Sequence, residues 1–380
     1  MPARKSKVAR RKATVKPRNY SSSNPRRVRK PNANTGPKSR PRPKAKTTRK
    51  IEKGRVFLIA AMFIVSAAII AGFIIYKKVD QNFASASSYT SFSENSDPYP
   101  SFSYIVVEDF ESDPIKVVSI SFVVLDRDAQ KALIFDVPLS TPIDVPGRFA
   151  TEEFSRVFAL GGLNSEDRAG GGLHLTNTAL FKLFGFKVDD HIMIESSLKD
   201  EFDGFIFRGK FPELSREVLV EGRESFDTSY SLKKFYDTYK FVNSLPTDRF
   251  IREAVTETHL HNVALFDETF IDMTLTSPVS VEKKNIAVLN GTSIPGVANW
   301  GGRVVRNLGG RVVASSNTGS VYKNSVLLVD DPNSETVRFL VHVFGINEVI
   351  SKSSIRVITE PVVDRADIVL ILGFDLATTL

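Results

Sequence analysis

The sequence has no cysteine in its 380 residues. It can therefore form no disulfide, hold no thiolate zinc and offer no cysteine nucleophile. Histidine is scarce, at five. No G-x-S-x-G elbow occurs and no histidine stands beside a nucleophile, so serine-hydrolase chemistry finds no footing. Acidic residues are missing from one end only. Residues 1–55 hold 21 Lys or Arg and a single acid, Glu52, whereas the rest of the chain carries 30 basic and 42 acidic residues. A basic tail is thus joined to an acidic body.

Between the two lies "VFLIAAMFIVSAAIIAGFIIY", Val56–Tyr76, with no charged residue. At about 1.5 Å per residue it reaches roughly 31 Å, the thickness of a bilayer core. The flanking Lys53, Arg55, Lys77 and Lys78, and the positive-inside bias, predict a single-pass transmembrane helix in the cytoplasmic membrane. The tail is then cytoplasmic and residues 79–380 are extracytoplasmic. The small-residue run Ala84–Ala86 leaves a cleaved signal peptide as the rival, but the apolar run is long and its basic lead extended for one.

The tail itself, residues 1–55, is rich in proline and basic residues and reads as a disordered region. Anionic lipid head groups are its simplest partner, and nucleic acid a second. Residues 77–103 are Ser-rich and read as a stalk. "KVVSISFVVL" (Lys116–Leu125) and "KALIFDV" (Lys131–Val137) predict a hairpin. Helices are expected over "TEEFSRVFALGG", with Thr151 as its cap, and from near Thr176 to Gly185. "HIMIE" and "GFIFRGK" are strand candidates, and "SYSLKKFYDTYKFVNSL" a helix. A mixed α/β domain over 104–270 follows from these, then a linker at 271–283.

Residues 284–380 alternate strand, helix, strand, strand, helix, strand, and close on the wholly apolar "ADIVLILG". A small second α/β domain, with that strand covered on both faces, is the expectation.

Chemistry is thinly marked. His259 and His261 in "THLHN" would share one face of a strand, with Glu253 or Glu257 completing a metal site. "AGGGLHLTN" (Ala169–Asn177) has glycines ahead of a helix, as a phosphate cradle does, but lacks a P-loop lysine. Asn290-Gly291-Thr292 forms a glycosylation sequon, although a tight turn explains Asn-Gly by itself.

Two resemblances gather these pieces. "NIAVLNGTSIPGVANWGGRVVRNLGG", "SVLLVDD" and "ADIVLILGFD" resemble the LytR-type C-terminal domain of bacterial cell-envelope proteins. Upstream, the hairpin, "FSRVFALGG" and "LTNTALFKLFGFKVDDHIMIE" are similar to the LytR-CpsA-Psr domain. That family implies transfer of glycopolymers from polyprenyl pyrophosphate to peptidoglycan, using Mg2+, carboxylates and arginines that neutralise the diphosphate.

The match fails where the chemistry should sit. The family carries Ser-Ile-Pro-Arg-Asp-Thr after the second hairpin strand; this chain has Asp136, Val137, Pro138, Leu139, Ser140 and Thr141. The arginine is replaced by leucine and the aspartate by serine. The family's acid in the first hairpin strand falls near Val118 or Ser119, and its late arginine-rich stretch has no clear counterpart in "YKFVNSLPTDRFIREAV". Arg148, Arg156 and Arg168 are the candidate substitutes for diphosphate binding, and Asp136 or Asp144 for a metal. The expectation is a degenerate relative that binds wall glycopolymer, peptidoglycan or envelope partners without catalysis. An active phosphotransferase with a rearranged site is the alternative, and a basic tail that couples the envelope to nucleic acid is another.

Overall fold

The computed structural model describes residues 53–80, 97–147, 149–163, 165–208, 225–354 and 365–378. The chain divides into two units, Met1–Met62 and Phe63–Leu380. Helix α1 (Lys53–Asp80) coincides with the expected span. Its described side chains, residues 61–74, are all exposed. Among the described residues no helix is long and apolar enough to cross a membrane.

In the first α/β part, β1 (Ser101–Val107), β2 (Val117–Asp126) and β3 (Lys131–Val137) form an antiparallel meander. A ribbon of β4 (Pro142–Asp144) and β5 (Thr151–Glu153) leads into α2 (Phe154–Leu163) and α3 (Arg168–Phe184). Then come β6 (Asp190–Glu195), α4 (Lys199–Arg208), β7 (Phe226–Thr228), α5 (Leu232–Ser244), β8 (Phe250–Ala254), α6 (Glu257–His261) and α7 (Ala264–Met273). The sheet order is β7-β6-β1-β2-β3-β8, with β8 parallel to β3 and β6 parallel to β1.

Because alternate residues of a strand face opposite ways, the sheet buries both sides. Ile105, Phe122 and Phe135 pack with Phe154, Phe158, Phe184, Phe266 and Phe270 of α2, α3 and α7. Tyr104, Val123 and Ile134 pack on the other side with Phe202 of α4 and Phe235 of α5. The phenylalanines form the centre of this core: Phe122 stacks on Phe184 at 4.9 Å and Phe186 on Phe270 at 4.6 Å.

Several expected boundaries move. The Ser-rich stalk ends early, because Ser101 and Ser103 already lie buried in β1. Thr151–Glu153 pairs as a strand rather than capping α2. "GFIFRGK" begins inside α4, not in a strand.

The glycines of "AGGG" belong to α3, and their purpose is steric. A Cβ at Gly171 would stand 2.6 Å from the Gly161 carbonyl oxygen, and one at Gly172 2.6 Å from the Phe158 ring. They let α2 and α3 touch backbone to backbone, and that contact outweighs glycine's poor helix propensity. A phosphate cradle is therefore not what these residues build.

The 271–283 stretch is structured too. It contains a turn of 3-10 helix and α8 (Pro278–Glu282), with Thr274, Ser277 and Val279 buried. Beyond it come β9 (Asn285–Asn290), α9 (Val297–Asn307), β10 (Arg311–Asn317), β11 (Val326–Val329), α10 (Glu335–Phe344), β12 (Glu348–Ser351), β13 (Ile368–Leu372) and α11 (Phe374–Ala377). This sheet has the order β10-β9-β13-β11-β12, and β13 is buried along its whole length as the sequence predicts. Asn290 of the sequon is buried and spends its amide locally, accepting from Thr292 N–H at 2.9 Å and donating to the Ile294 carbonyl at 2.8 Å.

The two α/β parts grip one another. The Arg303 guanidinium donates to Asp267 at 2.7 Å and to the Lys182 carbonyl at 3.2 Å. Asn307 donates to the carbonyls of Phe184 and Gly185 at the end of α3. A cation and an amide thus satisfy the carbonyls that a helix leaves open at its C-terminus.

Candidate functional site

Strand register assembles a polar patch at the end of the hairpin. Tyr104 pairs with Ser121 and Ser121 with Asp136, and Arg252 lies one strand further on, opposite Ile134. The period of two puts all four side chains on the face that α4 covers. There they line a cavity of about 170 Å3 with Ser119 and Pro138, closed by Lys199 and Asp203 of α4.

Its charges cancel in pairs. Asp136 accepts from the Ser121 hydroxyl at 2.6 Å, from Arg252 Nε at 2.5 Å and from Nη2 at 3.2 Å. Asp203 is bonded to Lys199 and accepts the Tyr104 hydroxyl at 2.9 Å. Burial, then the neighbouring Asp203 charge, pushes the Tyr104 phenol far above its ordinary range, so it remains a neutral donor. The patch is two cations against two carboxylates.

A magnesium ion does not fit this arrangement. Both oxygens of Asp136 are engaged, and an incoming dication would lie against the Arg252 guanidinium. The other candidate ligand, Asp144, is spent on the surface with Lys182 at 2.7 Å.

Of the arginines proposed from sequence, the two described ones do not converge here. Arg156 pairs with Glu152 at 3.0 Å and Arg168 with Asp113 at 2.5 Å, both cations largely exposed. Arg148 lies outside the described residues. Within the motif, Leu139 turns inward onto the apolar core, as its side chain dictates, and Ser140 is exposed. Thr141 is buried, and its N–H donates to the Pro138 carbonyl at 2.9 Å. The carbonyls of Leu139 and Thr141 accept the N–H groups of Ser155 and Phe154, which ties the turn to the start of α2. Asp136, Val137 and Pro138 are the parts of the motif that line the cavity.

The histidine pair is also dispersed. "THLH" is helical, not extended, so positions two apart leave different faces. His259 stacks on Phe266 and bonds to Thr256, while His261 bonds to the Glu257 carbonyl.

Sequence reasoning missed Arg252, Lys199, Asp203 and Tyr104. The β3–β8 pairing joins Arg252 to Asp136 across 116 residues, and no local spacing announces that.

No protein-family model matches this chain, and no curated protein sequence matches it. Several solved structures align with part of it. TagT of Bacillus subtilis does so at 13% identity, covering 46% of this chain and 86% of that one, with a TM-score of 0.31. A LytR-CPS2A-Psr family protein, YwtF (TagT) with bound octaprenyl pyrophosphate lipid, aligns at 14% identity over 45% of this chain and 85% of its own, TM-score 0.28. A transcriptional regulator of Enterococcus faecalis aligns at 10% identity over 41% and 76%, TM-score 0.30.

Proposed function

We propose that this chain is a bacterial cell-envelope protein that binds a wall glycopolymer or peptidoglycan and does not transfer it. The basic tail is cytoplasmic in this reading, the segment around Val56–Tyr76 is the membrane anchor, and the two α/β parts stand outside. The motifs quoted above, from the hairpin to "ADIVLILG", support the envelope setting.

One observation carries the argument against transfer. The two cations described at the cavity, Arg252 and Lys199, are each bound to a carboxylate. Transfer from a polyprenyl pyrophosphate needs net positive charge where the diphosphate leaves. A patch that sums to zero gives no such stabilisation, and an arriving diphosphate must first break two ion pairs. Arg252 beside Asp136 is the feature that favours the opposite reading, an active phosphotransferase.

The test uses the full chain in lipid nanodiscs with a polyprenyl-pyrophosphate-linked glycopolymer, peptidoglycan and Mg2+. Retained polymer binding with no covalent transfer is expected; transfer that disappears in Arg252→Ala overturns the proposal. Topology has its own check, because the chain lacks cysteine. Of single cysteines placed at Ser22 and Ser320, only the second should react with a membrane-impermeant thiol reagent in intact cells.

A further inference from the structure

One contact between the two α/β parts runs through a histidine. His342 of α10 places Nε2 2.9 Å from one oxygen of Asp189, which stands just ahead of β6. The other Asp189 oxygen is bonded to Lys187 at 2.6 Å, and Lys187 also binds Asp97, ahead of β1. Lys187, Asp189 and Asp97 are all buried. His342 is less so: its side chain is 22% exposed and lines a cavity of about 550 Å3 together with Asp97, so protons reach the ring.

The oxygens of this cluster are bonded, but its net charge is not fixed. Burial alone would lower the Lys187 pKa, but Asp189 and Asp97 reverse this and hold the ammonium charged. Two carboxylates and one ammonium leave a surplus negative charge, and an imidazolium at His342 cancels it. The other charges at the joint are already balanced or engaged. Glu335 and Arg338, also on α10, pair at 2.8 Å. Glu282 of α8 accepts N–H groups at the start of α10, and Arg303 of α9 is paired with Asp267 of α7. A neutral imidazole can still donate one hydrogen bond to Asp189, but it brings no charge. The buried cluster is then left with an uncompensated carboxylate, which is costly away from water.

We propose that His342 makes the joint between the two α/β parts sensitive to pH, tight while its ring is an imidazolium and looser once the ring is neutral. Imidazole is the side chain whose ordinary titration falls between about pH 5 and 8. The contact crosses from α10 to the segment ahead of β6, so the change acts between the parts rather than within one. None of these groups lines the cavity at Pro138, and the proposal stands apart from the envelope reading.

Trp300, the single tryptophan of the chain, reports on this joint. Its ring lies 5.0 Å from Phe181 of α3 and 5.9 Å from Phe344 of α10. The full chain in detergent micelles is titrated with acrylamide at about pH 5.5 and about pH 8.5, either side of the imidazole range. Quenching of Trp300 should be at least about twofold greater at the higher pH, since a coupling of one pKa unit is a tenfold change in the equilibrium. His342→Gln keeps a neutral donor and should give equal quenching at both values. The other four histidines remain in that variant, so it isolates His342. Asp189→Asn should reverse the sign, because Asp97 and Lys187 then cancel and protonation of His342 adds an unbalanced charge. Equal quenching of the parent at the two pH values, greater quenching in acid, or an undiminished response in His342→Gln each overturns the proposal.

Discussion

Two ionic clusters in this molecule are built from similar parts and placed in opposite surroundings. At the hairpin end, Arg252 and Asp136 are 48% and 31% exposed. At the junction, Lys187, Asp97 and Asp189 are all under a tenth exposed. Water screens the first pair and leaves it worth little, whereas the second has lost its hydration and depends on its partners. The junction cluster is therefore a structural joint, and the hairpin cluster is a solvent-screened pairing that the fold does not depend on.

The most forceful way to break this contrast is Lys187→Met. It strands two buried carboxylates, and removing one partner of a buried pair costs about 3–5 kcal/mol. Denaturant unfolding should show that loss, and a change below about 1 kcal/mol would put the two clusters on the same footing. Next in size is Gly161→Ala. The added Cβ would lie 2.3 Å from the Gly171 carbonyl oxygen, so α2 must move from α3. Overpacking of this kind costs about 1–3 kcal/mol. Since α2 holds the Leu139–Thr141 turn by two hydrogen bonds, the same variant should loosen that turn, with faster amide exchange at Phe154 and Ser155.

Acid separates the clusters more gently. Burial would raise the Asp189 pKa, but Lys187 and His342 overcome it and hold the carboxyl well below its ordinary range. As pH falls below about 4 the unfolded chain binds a proton here and the folded chain resists it. Stability present above that pH is then lost as pH falls through the depressed folded value. Glu282, which accepts the Glu335 and Thr336 N–H groups at the start of α10, is also depressed and acts with the same sign. Unfolding between pH 5 and 2 should therefore be steeper in the parent than in Asp189→Asn, with part of the slope remaining from Glu282.

Much of the fold was readable because its signals are local. "SVLLVDD" and "ADIVLILG" are apolar strands, and Gly185 and Gly345 mark true helix ends. What escaped depends on tertiary contact. "SFS" at residues 101–103 looks like the end of the stalk because Ser101 and Ser103 are polar, yet the sheet buries them; Ser101 is satisfied by the Lys187 carbonyl and Asp189. The glycines of α3 look like a loop until α2 is laid against them. The site divides in the same way. Asp136 and Pro138 were visible through the motif, but their partners arrive from β8 and α4, and composition near the motif says nothing of them.

The smallest effect is expected from Arg252→Ala. The guanidinium is half in water, so its removal should change stability by no more than about 1 kcal/mol. Its consequence lies instead in what Asp136 does next. Without the arginine, one oxygen of Asp136 keeps the Ser121 hydroxyl and the other becomes accessible to solvent. A divalent cation then no longer meets a guanidinium, so Mg2+ should bind more tightly to the variant than to the parent in calorimetry. Unchanged Mg2+ affinity would mean that Arg252 does not guard the carboxylate. A stability loss equal to that of Lys187→Met would mean that the hairpin pair is as desolvated as the joint.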